Sequence, residues 1–269
     1  MKKILYVSDL DGTLLKSDET TSDYTNRTIN SLIEKGMIFS YATARSYYTS
    51  HKVAGGIKTP YPVINYNGTM ITDKDGSTIL KNFFDEEIKD VLKELLKNDI
   101  YPIVYSFINS QEKFSYDFEK SSEGVREFIV TRKDERSRNV HSENELLDGE
   151  IFHITCIDEK EKLEVAYEKL KEKYHCLFYL DFYSKRQWLE IMPKSVSKGN
   201  AVLQLKEHLG CDKVVVFGDA GNDIDMFSVA DEAYAVENAS EELKKTATDI
   251  IGNNNADGVA KWLAENTIF

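Results

Sequence analysis

The 269-residue sequence predicts an α/β fold, with one parallel sheet assembled from both ends of the chain and an α+β domain inserted between them. Three observations point there. Two apolar runs, Ile4-Leu5-Tyr6-Val7 and Val214-Val215-Val216-Phe217, read as buried strands, and each ends in an Asp-rich, Gly-containing turn. Strand and helix patterns alternate at both ends of the chain. Between those ends lies a run of mostly neighbouring strands with two main helices.

The elements follow in order. After the strand Ile4–Val7, Ser22 is placed to cap a helix over about Asp23–Lys35, with Ile29, Leu32 and Ile33 on one face and Gly36 as its stop. A strand Met37–Tyr41 ends in Ala42-Thr43-Ala44-Arg45, and Ser46 caps a short helix through Val53. Tyr61–Asn65 is a further strand leading into Asn67-Gly68, and Asp75-Gly76 makes a hairpin turn between Met70–Thr72 and Thr78–Leu80. In the middle, Asp85 caps a helix carrying the stripe Ile88, Val91, Leu92, Leu95 and Leu96. Strands are expected near Tyr101–Phe107, Phe114–Phe118, Ile151–Ile157, Leu177–Tyr183 and Gln187–Ile191, with a helix over Lys160–Lys173. The charged stretch Thr131–Glu145 reads as a loop or a short exposed helix. Alternation returns after Pro193. Ser197 caps a helix that stops at Gly210, followed by the strand Lys213–Phe217, a helix after Asn222, the strand Ala233–Val236, a helix from Ser240, the strand Ile250–Ile251 and a helix around Gly258–Ala264. The expected organisation is residues 1–83 plus 190–269 as one domain and 84–189 as the insertion.

Composition narrows the function. With 41% hydrophobic and 30% charged residues the chain is globular in type, and no apolar run approaches a membrane span. The apolar run after Met1-Lys2-Lys3 is too short for a signal-peptide core, so a cytoplasmic protein is expected. Cys156, Cys176 and Cys211 form no CxxC pair, and the dispersed histidines form no HxxxH pair, which argues against a disulfide framework or a zinc site. A formal net charge of −12 argues against a nucleic-acid partner. It also means that an anionic substrate needs positive charge supplied locally.

The chemistry is concentrated in the two acidic turns. Asp9 and Asp11, two residues apart in Asp9-Leu10-Asp11-Gly12-Thr13, share a face of any continuing strand, and Gly12 lets the chain turn after them. Two acids that close resist joint ionisation unless a cation lies between them. The pattern suits a hard metal ion, with one carboxylate free as a nucleophile and the other as an acid or base. The turn Gly218-Asp219-Ala220-Gly221-Asn222-Asp223 supplies a second acidic cluster, and both clusters fall at the carboxyl edge of a parallel sheet, where open α/β folds place ligands. Lys198, in the first turn of its helix, works against the helix dipole, which suggests another job for its charge.

In these motifs the chain resembles the haloacid dehalogenase-like phosphohydrolases, and within them the Cof-type sugar-phosphate phosphatases, whose α/β (type IIB) cap is inserted between the second and third motifs. Asp9-Leu10-Asp11-Gly12-Thr13 matches the first motif, Thr43 the second, Lys198 in Ser197-Lys198-Gly199-Asn200-Ala201 the third, and the Gly218–Asp223 turn the fourth. The resemblance covers essentially the whole chain and implies a HAD-like Rossmannoid core. It further implies that Asp9 attacks phosphorus to form an aspartyl-phosphate, and that Asp11 protonates the leaving alkoxide and then activates water. Mg²⁺ would be held by the carboxylates of Asp9 and Asp219 and the backbone carbonyl of Asp11, with Asp223 binding it directly or through water. Thr43 and Lys198 would hold phosphate oxygens.

Further candidates are less specific. Arg45 reads as a phosphate or sugar contact or as a solvated loop arginine; Asn67 as a substrate contact or a left-handed turn residue; Asn222 as a substrate contact or a helix cap. Tyr183, Lys185 and Arg186 read as leaving-group selectors or as a polar hairpin turn. The family's usual Thr-Gly-Arg is Thr43-Ala44-Arg45 here, and alanine does not take positive φ cheaply, so the loop that aims Arg45 is expected to differ. Thr69 stands where a small apolar residue is usual. The expected function is Mg²⁺-dependent hydrolysis of a small phosphorylated metabolite. The alternatives are phosphosugar mutase-type transfer and a non-catalytic metabolite-binding regulator. Oligomeric state is not readable from the sequence.

Overall fold

The apolar run behind Lys3 forms β1 (Ile4–Ser8), whose residues from Leu5 onward are all buried. In the computed structural model, which describes residues 2–181 and 184–267, the chain then continues into α1 (Asp23–Glu34), where Ser22 Oγ accepts from the Thr25 amide at 3.0 Å. Next come β2 (Ile38–Tyr41) and α2 (Tyr47–Val53), the latter capped by Ser46. The hairpin segment β3 (Val63–Asn65), β4 (Met70–Thr72) and β5 (Thr78–Lys81) closes this stretch, with Gly76 at φ +86° in the turn between the last two strands.

Two compact units result. One joins the N-terminal stretch through Lys81 to the C-terminal stretch from Val196; the other is Asn82–Ser195. The second unit begins with α3 (Ile88–Lys97), β6 (Ile103–Ile108), β7 (Gln111–Tyr116) and α4 (Glu123–Arg132). It continues through β8 (Ser137–Asn139), β9 (Glu150–Asp158), α5 (Lys160–Leu170), β10 (His175–Leu180) and β11 (Gln187–Met192). The strands order β10-β11-β9-β6-β7-β8, antiparallel throughout except for the parallel β7–β8 pair. α3 and α5 cover one face with Val91, Leu95 and Leu163 against Val104, Ile154 and Leu189. Val125 and Ile129 of α4 pack with Ile103 and Ile157 in a separate cluster.

The first unit is completed by α6 (Lys198–His208), β12 (Lys213–Gly218), α7 (Ile224–Val229), β13 (Glu232–Val236), α8 (Glu241–Lys244), β14 (Asp249–Ile251) and α9 (Gly258–Asn266). Its main sheet runs β14-β13-β12-β1-β2, every pair parallel. Ser8 sits opposite both Phe217 and Tyr41 in register, so the chain leaves the first, second and twelfth strands at one edge. The central strands carry no polar residues between Leu5 and Val7 or between Val214 and Phe217, as a strand covered on both faces requires.

Three differences from the sequence expectations are local. α4 was not anticipated, though Ser122 caps it by accepting from the Val125 amide at 3.1 Å. Within the stretch expected to be a loop or short helix, β8 forms an edge strand whose charge hides its pattern. Arg138 is held there by Asp148 at 2.6 Å, and the adjoining Arg136 by Glu112 at 2.6 Å. Asp85 does not cap α3 directly: its Oδ1 accepts at 2.9 Å from the amide of Glu87, the residue just before the helix. The expected strand end at Tyr183 lies outside the described residues.

Candidate active site

Three strand exits build the site. Asp9 follows β1 in extended conformation, its amide still donating to the Phe217 carbonyl at 2.9 Å, and its side chain is buried. The chain then turns through Leu10–Leu14, with Gly12 at φ +75°. A Cβ on Gly12 would lie 2.9 Å from the Asp219 carboxyl carbon, so glycine is required here both for the backbone angle and for the close approach. The strand does not continue past Asp9. Asp9 and Asp11 therefore do not share a face as the sequence pattern implied, and their side chains enter different surroundings.

Asp219 leaves β12 and accepts from Thr13 Oγ1 at 3.0 Å. Asp223, fully buried, turns its Oδ2 back on the loop, accepting from the Asp219 and Ala220 amides at 2.9 and 3.1 Å. Its other oxygen meets Lys198. That lysine opens α6, whose start is fixed by Ser197 Oγ accepting from the Asn200 amide at 3.1 Å. Lys198 Nζ lies 2.5 Å from Asp9 Oδ1 and 2.7 Å from Asp223 Oδ1, with no exposed side-chain surface. Oxygens of Asp9, Asp219 and Asp223 all fall within 4.8 Å of one another.

Charge crowding and burial shift the titration of Asp9, Asp219 and Lys198. Burial pushes the Asp9 carboxyl well above the usual range; Lys198 opposes the shift, and Asp223 and Asp219 add to it. Burial, with Asp223 behind it, raises Asp219 to about 6. For Lys198 burial works against the charged form, but Asp223 and Asp9 outweigh it and hold the ammonium above its ordinary value. Three carboxylates against one ammonium leave a buried deficit of positive charge, and all the donors are hard oxygens. A divalent cation of the Mg²⁺ type fits such a set.

Asp11 stands apart. Its carboxylate is half-exposed and is gripped by Arg45, with Nε to Oδ2 at 2.8 Å and Nη2 to Oδ1 at 2.5 Å; the same Nη2 also reaches Glu19 at 2.8 Å. Arg45 is thus neither a solvated loop residue nor turned toward the three-carboxylate cluster. The hydrogen bond to Asp11 holds its guanidinium above its ordinary pKa against the opposing effect of burial. Asp11's carboxylate is not part of the cluster, so any share it takes in holding a cation falls to its backbone carbonyl.

The loop after β2 completes the edge. Thr43 is buried; its Oγ1 accepts from the Arg45 amide at 3.1 Å and its carbonyl from the Asn67 amide at 3.0 Å. Ala44 is exposed and is not among the positive-φ residues, so glycine's freedom is not needed there. Asn67 does take the left-handed conformation, at φ +53°, and its Oδ1 accepts from Asn222 Nδ2 at 3.2 Å. Asn222 is therefore a partner of Asn67, and the carboxylate that ties the turn together is Asp223, through the Asp219 and Ala220 amides. Gly68, at φ +97°, lets this loop touch Ser197, whose carbonyl carbon would lie 2.7 Å from an added Cβ. In the other unit, Arg186 pairs with Glu123 at 2.9 Å and Glu127 at 3.0 Å on α4. Lys185 stands beside it in the same turn, and Tyr183 lies outside the described residues. Sequence reasoning missed Glu19 and Asn238, which donates to the Gly12 carbonyl at 2.7 Å. Both lie outside the motifs, and no periodicity marks them.

Comparison with known proteins accords with this geometry. The family described as haloacid dehalogenase-like hydrolase matches residues 6–263. The chain is 26% identical to the 5-amino-6-(5-phospho-D-ribitylamino)uracil phosphatase YwtE of Bacillus subtilis, with 95% of each chain covered. It is 24% identical to YitU, a Bacillus subtilis phosphatase of the same name, over 98% of this chain and 97% of the relative. The crystal structure of TM0651 from Thermotoga maritima is similar at a TM-score of 0.81 and 26% identity, covering 100% of this chain and 99% of that one. The chain belongs to the haloacid dehalogenase-like hydrolases and is a phosphatase of that type.

Proposed function

We propose that the protein is a Mg²⁺-dependent phosphomonoesterase that hydrolyses small phosphorylated metabolites, sugar phosphates foremost, through an aspartyl-phosphate on Asp9. The observation that carries the proposal is the division between the two acids of the first turn. Asp9 is buried among Asp219, Asp223 and Lys198, whereas Asp11 is half-exposed and held by Arg45 outside that cluster. One is suited to attack, the other to exchange protons with a substrate and water.

In the first step Asp9 Oδ attacks phosphorus and the bond to the ester oxygen breaks, while Asp11 gives its proton to the departing alkoxide. In the second, a water deprotonated by Asp11 attacks phosphorus, releasing inorganic phosphate and restoring Asp9. Thr43 Oγ1 and Lys198 Nζ hold the phosphoryl oxygens, and Lys198 also offsets the charge of Asp9 before attack. Asp9 and Asp219, the backbone carbonyl of Asp11, and Asp223 directly or through water would hold Mg²⁺. When bound, that ion neutralises phosphoryl charge and so lets a weak carboxylate nucleophile approach an anion. Asn67 and Asn222, which bond each other, would meet the substrate's polar groups. The insertion, expected at residues 84–189, would be the part that selects the leaving group. The names of YwtE and YitU, which specify a ribityl phosphate, support a phosphorylated metabolite with a sugar-like chain.

The test is phosphate release from a panel of metabolite phosphates, with Mg²⁺ and with chelator, using Asp9→Asn as the blank. Mg²⁺-dependent release from one compound class, abolished in Asp9→Asn, is the expected result. Undiminished turnover by Asp9→Asn would remove the aspartyl-phosphate mechanism.

A further inference from the structure

We infer that Glu19 is a positioning residue for the proposed acid/base step: it anchors the guanidinium of Arg45, and through it fixes the carboxylate of Asp11. The inference rests on the assignment of Asp11 as acid and base.

Two features single Glu19 out. It shares one donor with the acid: Arg45 Nη2 reaches Asp11 Oδ1 at 2.5 Å and Glu19 Oε2 at 2.8 Å, while Nε closes the fork on Asp11. The planar guanidinium is thus spanned by two carboxylates, and its orientation is set from both sides. The second feature is backbone conformation. Glu19 has φ +60°, a left-handed conformation that glycine, asparagine or aspartate would adopt more cheaply. The loop holds it there. Its amide donates to the Lys16 carbonyl at 2.9 Å, the Lys16 amide donates to the Thr20 carbonyl at 2.9 Å, and Asp18 Oδ1 accepts from the Thr20 amide at 3.1 Å and hydroxyl at 2.7 Å. A glutamate kept where smaller residues fit better, with its carboxylate on the arginine that grips Asp11, is a side chain retained for its reach.

Asp11 needs this support because it is half-exposed and outside the buried cluster. Arg45 grips its carboxylate through both oxygens and is the group that aims it. With Glu19 absent, Arg45 keeps one anchor in place of two, and Asp11 and Arg45 swing together. The loss falls on proton transfer through Asp11, to the leaving group in the first step and from water in the second, and leaves attack by Asp9 untouched.

The experiment compares Glu19→Gln and Glu19→Gly on two substrates, an alkyl phosphate whose departure needs a proton and 2,4-dinitrophenyl phosphate, whose departure does not. Both variants are expected to lose about 10-fold or more in kcat/KM on the alkyl phosphate and to stay within about twofold of wild type in kcat/KM on the dinitrophenyl ester, because kcat/KM ends at departure of the leaving group and does not include the later attack of water, for which Asp11 is the base with either ester. Glu19→Gly relieves the backbone, so a purely structural role predicts no loss from it. In an Arg45→Ala background, Glu19→Gln should have no further effect. Equal losses on the two esters, wild-type turnover of the alkyl ester, or additive effects with Arg45→Ala would each overturn the inference. Asp11→Asn, run alongside, separates the two levels. If it loses the alkyl ester while Glu19→Gln is wild-type, only the positioning role falls; if it turns over the alkyl ester normally, the acid/base assignment falls and the positioning role with it.

Discussion

Replacing Lys198 with methionine removes the one cation that the described residues bring to the buried cluster while keeping most of the side chain's volume, so lost charge and not a cavity dominates the outcome. The ammonium has no exposed surface and contacts Asp9 and Asp223 at 2.5 and 2.7 Å. Removing one partner of a buried ion pair costs about 3–5 kcal/mol, because the other charge is left without compensation. Here two carboxylates are left, but Asp9, already pushed upward, can take a proton and bond Asp223 as a neutral acid. That places the cost near the lower end. At roughly 2–4 °C of melting temperature per kcal/mol for a domain of this size, scanning calorimetry in chelator should show Lys198→Met melting roughly 6–12 °C below wild type. Added Mg²⁺ should then raise the variant's Tm more than the wild type's, since the ion replaces missing positive charge. A variant within about 2 °C of wild type in chelator would mean that the lysine's desolvation cancels its attraction to the two acids, and the electrostatic account of the cluster would be wrong.

Two further substitutions address separate parts of the structure. Gly12→Ala places a methyl group against the Asp219 carboxylate and strains the backbone at φ +75°. It should cost about 1–2 kcal/mol from the backbone angle alone and weaken the Tm increase produced by Mg²⁺, measured as a thermal shift against ion concentration; an unchanged ion response would show that Asp219 does not hold the cation. Arg186→Ala removes ion pairs to two glutamates that are more than half exposed, so denaturant titration should register no more than about 1 kcal/mol. A larger loss would show that this turn anchors α4.

The chemistry was legible because it is carried by motifs at strand ends: an apolar run followed by Asp9, Asp11 and Gly12, and another followed by Gly218, Asp219 and Asp223. Both strands lie adjacent in the parallel sheet, and the matching family spans residues 6–263. The helix caps Ser22, Ser46 and Ser197 were legible for the same reason, since a hydroxyl three residues before an amide is a local signal. What the pattern hid was non-local or conformational. The strand stops at Ser8, so the two-residue spacing of Asp9 and Asp11 does not place them on one face. The bond of Asn222 to Asn67 spans 155 positions, and that of Arg45 to Glu19 depends on a left-handed residue that no composition rule assigns to glutamate. α4 escaped notice because its apolar residues, Val125, Phe128 and Ile129 among them, are interleaved with Arg126 and Glu127 and do not make a clean stripe.

The formal charge of −12 sets the remaining problem, since the proposed substrate is an anion. Lys198 lies buried between two acids and Arg45 is shared by two more, so neither cation projects free positive charge toward approaching substrate. At long range a phosphate monoester meets a repulsive field; attraction begins only within the site. Ionic strength separates the two distances. At about 0.01 M the field reaches roughly 30 Å, and at about 0.15 M roughly 8 Å. Raising the concentration of a weakly coordinating salt between those limits at fixed free Mg²⁺ should therefore increase kcat/KM for a dianionic substrate while kcat stays constant. Electrostatically steered association shows the opposite trend. If kcat/KM falls with salt, the site's own field, with its bound cation, outweighs that of the surface, and the acidic surface must be arranged away from the substrate's approach.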